Sequence, residues 1–229
     1  MCAYNAAMNT PGVRSLHPTR HIAAVDRLID QADRALRAMC GPTRSVRPSP
    51  ATGQRETVTT DAERKRVCSL MRVNHAGEIA AQALYQGQAL TARSSHTRES
   101  MAHAAQEEID HLSWCADRIE ELGGRTSLLN PLWYAGSFVL GALAGAVGDR
   151  ASLGFLAETE RQVVDHLQSH LARLPDDDAK TRAVLQQMVQ DETGHGETAL
   201  RAGGRELPVP IRQLMKLASG VMTRTAYWV

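Results

Sequence analysis

Two stretches of this chain repeat one arrangement of metal-seeking side chains. Glu78 is followed thirty residues later by Glu108 and, three further on, by His111. Glu160 is followed thirty-two residues later by Glu192 and, three further on, by His195. Residues three apart on a helix point to nearly the same side, so each Glu-x-x-His presents a carboxylate and an imidazole to one point. A single Glu-x-x-His is usually surface polar pattern. Two copies, each preceded by a Glu at almost the same distance, argue for ligands. Carboxylates suit hard iron and bridge two cations, and each imidazole adds one nitrogen donor. Four Glu carboxylates balance the charge of two ferrous ions, with both histidines neutral, so the loaded site tolerates a dry core. Without metal, desolvation and mutual repulsion would raise the carboxylate pKa values. Two single-Glu helices with two Glu-x-x-His helices form the ligand set of a carboxylate-bridged di-iron four-helix bundle.

Nearby acids compete for these roles. Glu158 lies about 200° around the helix from Glu160, and Glu107 about 100° from Glu108, so repeat register favours the six residues above. Glu197 is a third competitor. His166, six residues after Glu160, is the best candidate to orient a ligand carboxylate. Asp110 and Asp191 are candidates to hold His111 and His195 in their ligating tautomers. Each of these also reads as an ordinary solvated or helix residue. Arg72 and Asn74 are weaker candidates for partners of Glu78. His75, His96, His103 and His170 read as surface or ordinary helix residues, and the run Arg64-Lys65-Arg66 as a solvated face.

These groups need long helices, and the apolar spacing supplies them. Thr60 and Glu63 have capping-box spacing. The stripe Val67, Leu70, Met71, Ile79 and Leu84 carries a helix to about residue 92. A second helix, roughly 97–122, ends at Gly123-Gly124. Residues 126–148 carry no charge. Asn130-Pro131 and four glycines shorten the apolar part, so an interfacial, re-entrant or buried helix is expected rather than a full span. Trp133 and Tyr134 suit a headgroup boundary; close packing of a small-residue helix on its neighbours is the alternative. Asp149 is placed to cap the next helix, which runs to about residue 174 with Glu160. Pro175 and the acids 176–178 open the helix carrying Glu192 and His195, and Gly203-Gly204 end it. Residues 211–229 are apolar and basic, fit to lie on the bundle or on an anionic surface. Upstream, 21–40 reads as one amphipathic helix, and 43–54, with Pro48, Pro50 and Gly53, as a linker. The expected division is a tethered N-terminal helix and linker, 1–55, and an all-α bundle, 56–229.

Composition narrows the function classes. The chain has 229 residues and a net charge of +1, which implies no bulk affinity for nucleic acid. Cys2, Cys40, Cys68 and Cys115 form no C-x-x-C, so a reducing compartment is the default. Residues 1–20 lack an apolar stretch of the secretory type. No glycine-rich nucleotide loop occurs.

The stretches MRVNHAGEIAAQALYQGQ (71–88), QEEIDHLSWC (106–115), LAETERQVVDHL (156–167) and QDETGHGETAL (190–200) resemble the demethoxyubiquinol hydroxylases of ubiquinone biosynthesis. The resemblance covers about residues 55–229 and leaves 1–54 outside. It implies a ferritin-like four-helix bundle with an added apolar, membrane-contacting helix and a C-terminal helix. It implies two irons on Glu78, Glu108, His111, Glu160, Glu192 and His195, bridged by Glu108 and Glu192. The implied reaction is O2-dependent hydroxylation of a polyprenylated methoxy-benzoquinol ring, using an external reductant. Peripheral attachment to the cytoplasmic side of the cell membrane is expected, with other ubiquinone-biosynthesis proteins as partners and no nucleic acid. A ferritin-type ferroxidase would use the same ligands but form a soluble shell, which the uncharged segment disfavours. A ferritin-like tRNA hydroxylase would need a basic face, and a helical lipid-binding scaffold would hold no iron.

Overall fold

A computed structural model describes residues 45–229 together with 29, 33 and 35–38. Six long helices are present among them: α1 (Asp61–Thr91), α2 (Ser95–Glu121), α3 (Asn130–Val147), α4 (Asp149–Leu171), α5 (Ala179–Arg201) and α6 (Val209–Ala226). No strand occurs among the described residues. The helix expected over 21–40 lies mostly outside them; the described residues of that stretch are helical, and Ala38 packs on Ile79, Leu112 and Tyr134.

Local chemistry sets the helix ends. Thr60 accepts the Glu63 amide while Glu63 returns a bond to Thr60, the reciprocal cap that starts α1. Ser94 caps α2 through the Thr97 amide, and Asp178 caps α5 through that of Thr181. Gly123 and Gly203, at φ 72° and 99°, end α2 and α5 in the left-handed region. Asp149 does not cap α4. Its carboxylate accepts the amides of Arg93 and Ser94, tying the α1–α2 corner to the start of α4.

Helices α1, α2, α4 and α5 form the four-helix bundle, with α1 against α2 and α4 against α5. Two apolar clusters sit along it. One gathers Leu70, Met71, Trp114, Ile119, Leu185 and Met188, and the other Tyr85, Met101, Ala105, Leu153 and Leu156. On each of the four helices the polar repeat residues fall between the segments that supply these clusters, so packing brackets them from both ends.

Helix α3 lies along α1 through glycines. A Cβ on Gly141 would stand 2.8 Å from the Leu84 carbonyl carbon, and one on Gly145 would stand 2.9 Å from the Gln88 carbonyl oxygen. The small residues of 126–148 are thus a seam against α1. The other side of α3 leaves Leu132, Val139, Leu143 and Val147 exposed. Among the described residues no helix is long and apolar enough to cross a membrane. Helix α6 packs on α1 and α4 and also exposes apolar side chains.

The described part of the expected linker, 45–54, is docked: the Val46 amide and the Arg47 guanidinium bond to Asp110, and Ala51 packs against the core; the residues that follow it continue the contact. Val58 is buried in the core, and Thr57 donates to the Asp177 carbonyl. Glu56 bonds to Arg118, a guanidinium only 1% exposed that also holds Thr181 and Asp178. A buried cation needs such partners, and the segment before α1 supplies one of them.

Candidate metal centre

The bundle brings all six repeat residues together. Glu78, Glu108, His111 and Glu192 form one group, and Glu108, Glu160, Glu192 and His195 another, each with one ligand atom per residue inside a 4.8 Å span. Glu108 and Glu192 belong to both groups. All four carboxylates and His111 are buried, and His195 is nearly so.

Both imidazoles point the same nitrogen inward. His111 Nδ1 lies 2.9 Å from Glu192 and 3.3 Å from Glu108, and His195 Nδ1 lies 3.0 Å from Glu192. Their Nε2 atoms face outward onto acids, but across the repeat. His111 Nε2 meets Asp191 at 2.9 Å, and His195 Nε2 meets Glu107 at 2.7 Å. The residue just before each shared Glu therefore holds the histidine of the opposite copy. The sequence marks Asp191 as such a partner, but for His195 rather than His111. Asp110 does not hold His111; it accepts the Val46 amide and the Arg47 guanidinium. Glu107 points about 100° away from Glu108, which counts against it as a ligand. That direction faces the neighbouring helix, where His195 lies. The sequence does carry a signal for this role: an acid precedes the second Glu in both copies.

Other candidates fall elsewhere. His166 bonds to no ligand carboxylate; its ring stands 4.0 Å from that of His170. His75 and His170 are buried, not surface, and His170 pairs with Asn74 at 2.8 Å. Arg72 reaches the carbonyls of Arg125 and Tyr227 rather than Glu78. Tyr85, which no spacing singles out, donates its hydroxyl to Glu160.

The electrostatics follow from burying four carboxylates together. Burial, reinforced by Glu192 and a second neighbouring Glu, pushes the Glu108 and Glu160 carboxyls well above the usual range. Burial opposes charge on Glu192 and His111 too. Even so, bonds from both imidazoles hold Glu192 below its usual range, and bonds to Asp191, Glu108 and Glu192 lift His111 above its own. Four carboxylates buried this close cannot all hold their charge without cations beside them. Glu108 Oε1 and Glu160 Oε2 are buried without a hydrogen-bond partner. Orphaned oxygens among four converging carboxylates and two imidazoles fit a pair of divalent cations.

Two of the cavities that reach the centre lie on different sides of it. An apolar cavity of about 410 Å³ between α1, α3, α4 and α6 has Glu78 in its wall, with Leu84, Trp133, Leu140, Phe155 and Met215. A more polar, open cleft of about 620 Å³ reaches His195 past His103 and Glu107.

The sequence profile of the family described as ubiquinone biosynthesis protein COQ7 matches residues 65–226. A 3-demethoxyubiquinol 3-hydroxylase from Nitrosospira multiformis is 57% identical over 205 residues, which is 90% of this chain and 99% of that protein. One from Legionella pneumophila is 56% identical over 90% of this chain and 97% of its own. One from Azoarcus sp. is 56% identical over 89% and 99%. Coverage of 90% requires part of residues 1–54, so the similarity extends further toward the N-terminus than residue 55. Among solved structures, the dodecameric thioferritin of Bacteroides fragilis, a bacterioferritin-related protein, matches with a TM-score of 0.52 at 20% identity. The match covers 60% of this chain and 84% of that one. That likeness concerns the fold, which is ferritin-like.

Proposed function

We infer, for a chain that belongs to the COQ7 family of ubiquinone biosynthesis proteins, that Glu78, Glu108, His111, Glu160, Glu192 and His195 hold two irons with which it hydroxylates the ring of 3-demethoxyubiquinol. The observation that carries the metal assignment is the pair of four-ligand groups sharing Glu108 and Glu192, which suits bridging by those two carboxylates. Two irons bound there would supply the one-electron chemistry that activates O2, with electrons from an external reductant. In net terms a ring C–H and O2 become C–OH and water, using two electrons and two protons.

The rest falls to the protein. The apolar cavity accepts the quinol ring beside Glu78, while the polyprenyl tail leaves between α3 and α6. Apolar walls keep water away from the reacting carbon. Asp191 and Glu107 hold the two imidazoles with Nδ1 inward. Tyr85 fixes one rotamer of Glu160.

The substrate dissolves in lipid, so the tail exit should meet a bilayer. Leu132, Val139 and Leu143 on α3 and Leu214, Leu217 and Val221 on α6 are exposed, and α6 carries Arg212, Lys216 and Arg224 with no acid. This supports peripheral attachment at the cytoplasmic face of the cell membrane. Co-sedimentation with anionic vesicles should be lost when Leu214 and Leu217 both become Glu; retained sedimentation would refute the attachment surface.

Activity has a direct test. Purified protein given Fe(II), O2, a reductant and 3-demethoxyubiquinol should form the hydroxylated quinol, and Glu108→Ala should not. Turnover by Glu108→Ala would sink the metal assignment.

A further inference from the structure

The two halves of the centre are not equally supported, and the difference comes from outside the bundle. On the His111 side, Asp191 accepts from three donors: His111 Nε2 at 2.9 Å, Gln187 Nε2 at 2.9 Å and Arg47 Nη1 at 2.9 Å. Arg47 also donates Nε to Asp110 at 2.7 Å, and its guanidinium lies 4.8 Å over the Trp114 ring. Trp114 packs at 5.4 Å on the His111 ring itself. Arg47 is fixed in turn by its own segment, since the Val46 amide bonds to Asp110 at 2.7 Å and Glu56 is clamped by Arg118. On the His195 side, Glu107 is a third exposed, and among the described residues its one polar partner besides His195 is the largely exposed His103 ring. At the position matching Asp110 the second copy has Gly194.

We propose that Arg47 is a positioning residue for the His111 half of the metal centre, held there by the docked segment 45–58, and that it makes this half bind metal more tightly than the His195 half. The inference rests on the metal reading above. A planar fork spanning two carboxylates fixes both in direction. Asp191 so fixed restrains the His111 ring before metal arrives, whereas no comparable restraint on Glu107 occurs among the described residues. Losing an outer partner of a ligating histidine typically costs about 10–100-fold in metal affinity.

The test is anaerobic Fe(II) titration of the full-length metal-free protein, following bound iron per chain, for wild type, Arg47→Ala and Arg47→Lys. Wild type should bind two irons in two resolved steps. Arg47→Ala should weaken the tighter step by about 10-fold or more and leave the weaker step in place, so the steps merge. Arg47→Lys should fall between, because an ammonium cannot span both carboxylates. Thermal melts of the metal-free proteins separate this from a structural role. Two unchanged steps in Arg47→Ala would overturn the proposal. So would equal weakening of both steps with a lowered melting temperature, which would make Arg47 a fold contact only. Wild type that binds no iron would instead remove the metal reading on which the proposal stands.

Discussion

The seam between α1 and α3 allows one substitution to be tried twice on one helix with opposite expected signs. A Cβ on Gly141 would meet the Leu84 backbone, 2.9 Å from Cα, where ordinary contacts begin at 3.4 Å. Helix α3 must therefore retreat by about half an ångström from Cα, and more from the carbonyl oxygen. Backbone atoms cannot swing aside as a side chain can. Overpacking of this kind costs about 1–3 kcal/mol, at the upper end for a backbone clash, and the better helix propensity of Ala returns about 1 kcal/mol. Gly141→Ala should thus destabilise by about 2 kcal/mol. At Gly136 an added Cβ would find nothing within 4 Å, so Gly136→Ala should gain about 1 kcal/mol from propensity alone. At about 2–4 °C per kcal/mol for a chain of this size, the two variants should melt about 6–12 °C apart, on opposite sides of wild type. Differential scanning fluorimetry at fixed metal content reads this directly. The retreat of α3 also moves Trp133 and Leu140, walls of the apolar cavity, so KM for the quinol should rise in Gly141→Ala. A Gly141→Ala protein as stable as wild type would refute the close-packed seam.

Arg118→Ala should cost about 3–5 kcal/mol, because Asp178, fully buried, loses its cation. Hydrogen exchange should then speed up across 45–58, which Arg118 holds through Glu56; unchanged protection there would contradict that anchor. His166 is kept neutral by burial, and secondarily by Arg173, which lower its pKa to about 4. The unfolded chain takes up that proton near pH 6.5, so this group's contribution to stability is intact above pH 6.5 and is lost as pH falls toward 4. His166→Leu removes the penalty. The stability of wild type relative to the variant should fall by about 1.4 kcal/mol per pH unit between 6.5 and 4, measured by urea unfolding at matched metal content. A pH-independent difference would show that His166 is solvated.

Spacing within one helix reports which side a residue faces, and that sufficed for the six inward groups. The Thr60–Glu63 cap and the glycine stops at 123 and 203 were legible for the same reason: each is local. What crosses between helices was not. Asp191 and Glu107 serve the opposite copy's histidine because the direction each takes leads to a neighbouring helix, whose identity no spacing states. Residues 45–58 have no period at all, and their anchors, Asp110 for Val46 and Arg118 for Glu56, lie about sixty positions away in the chain. Proline and glycine there mark irregular backbone, which is equally compatible with a loose linker and a docked strap.

The repeat gives the centre its symmetry, and the function depends on where that symmetry fails. Seven residues after the first Glu, one copy has Tyr85 and the other Leu167. Tyr85 donates to Glu160, closing that carboxylate's side of the centre with a polar contact inside the core. Leu167 instead lies in the wall of the apolar cavity with Glu78. Helix α3 is inserted once, between the copies, and it packs along α1, the helix of Glu78. Among the described residues the Glu78 side therefore gains a second layer of apolar helix, with α6 beside it, and a greasy ring can lie there against a ligand carboxylate. On the far side the outer histidine partner Glu107 opens to a polar cleft. A twofold ligand set would serve a ferroxidase equally from either face; an apolar chamber on the Glu78 face is what a hydroxylase of a lipid-soluble ring requires.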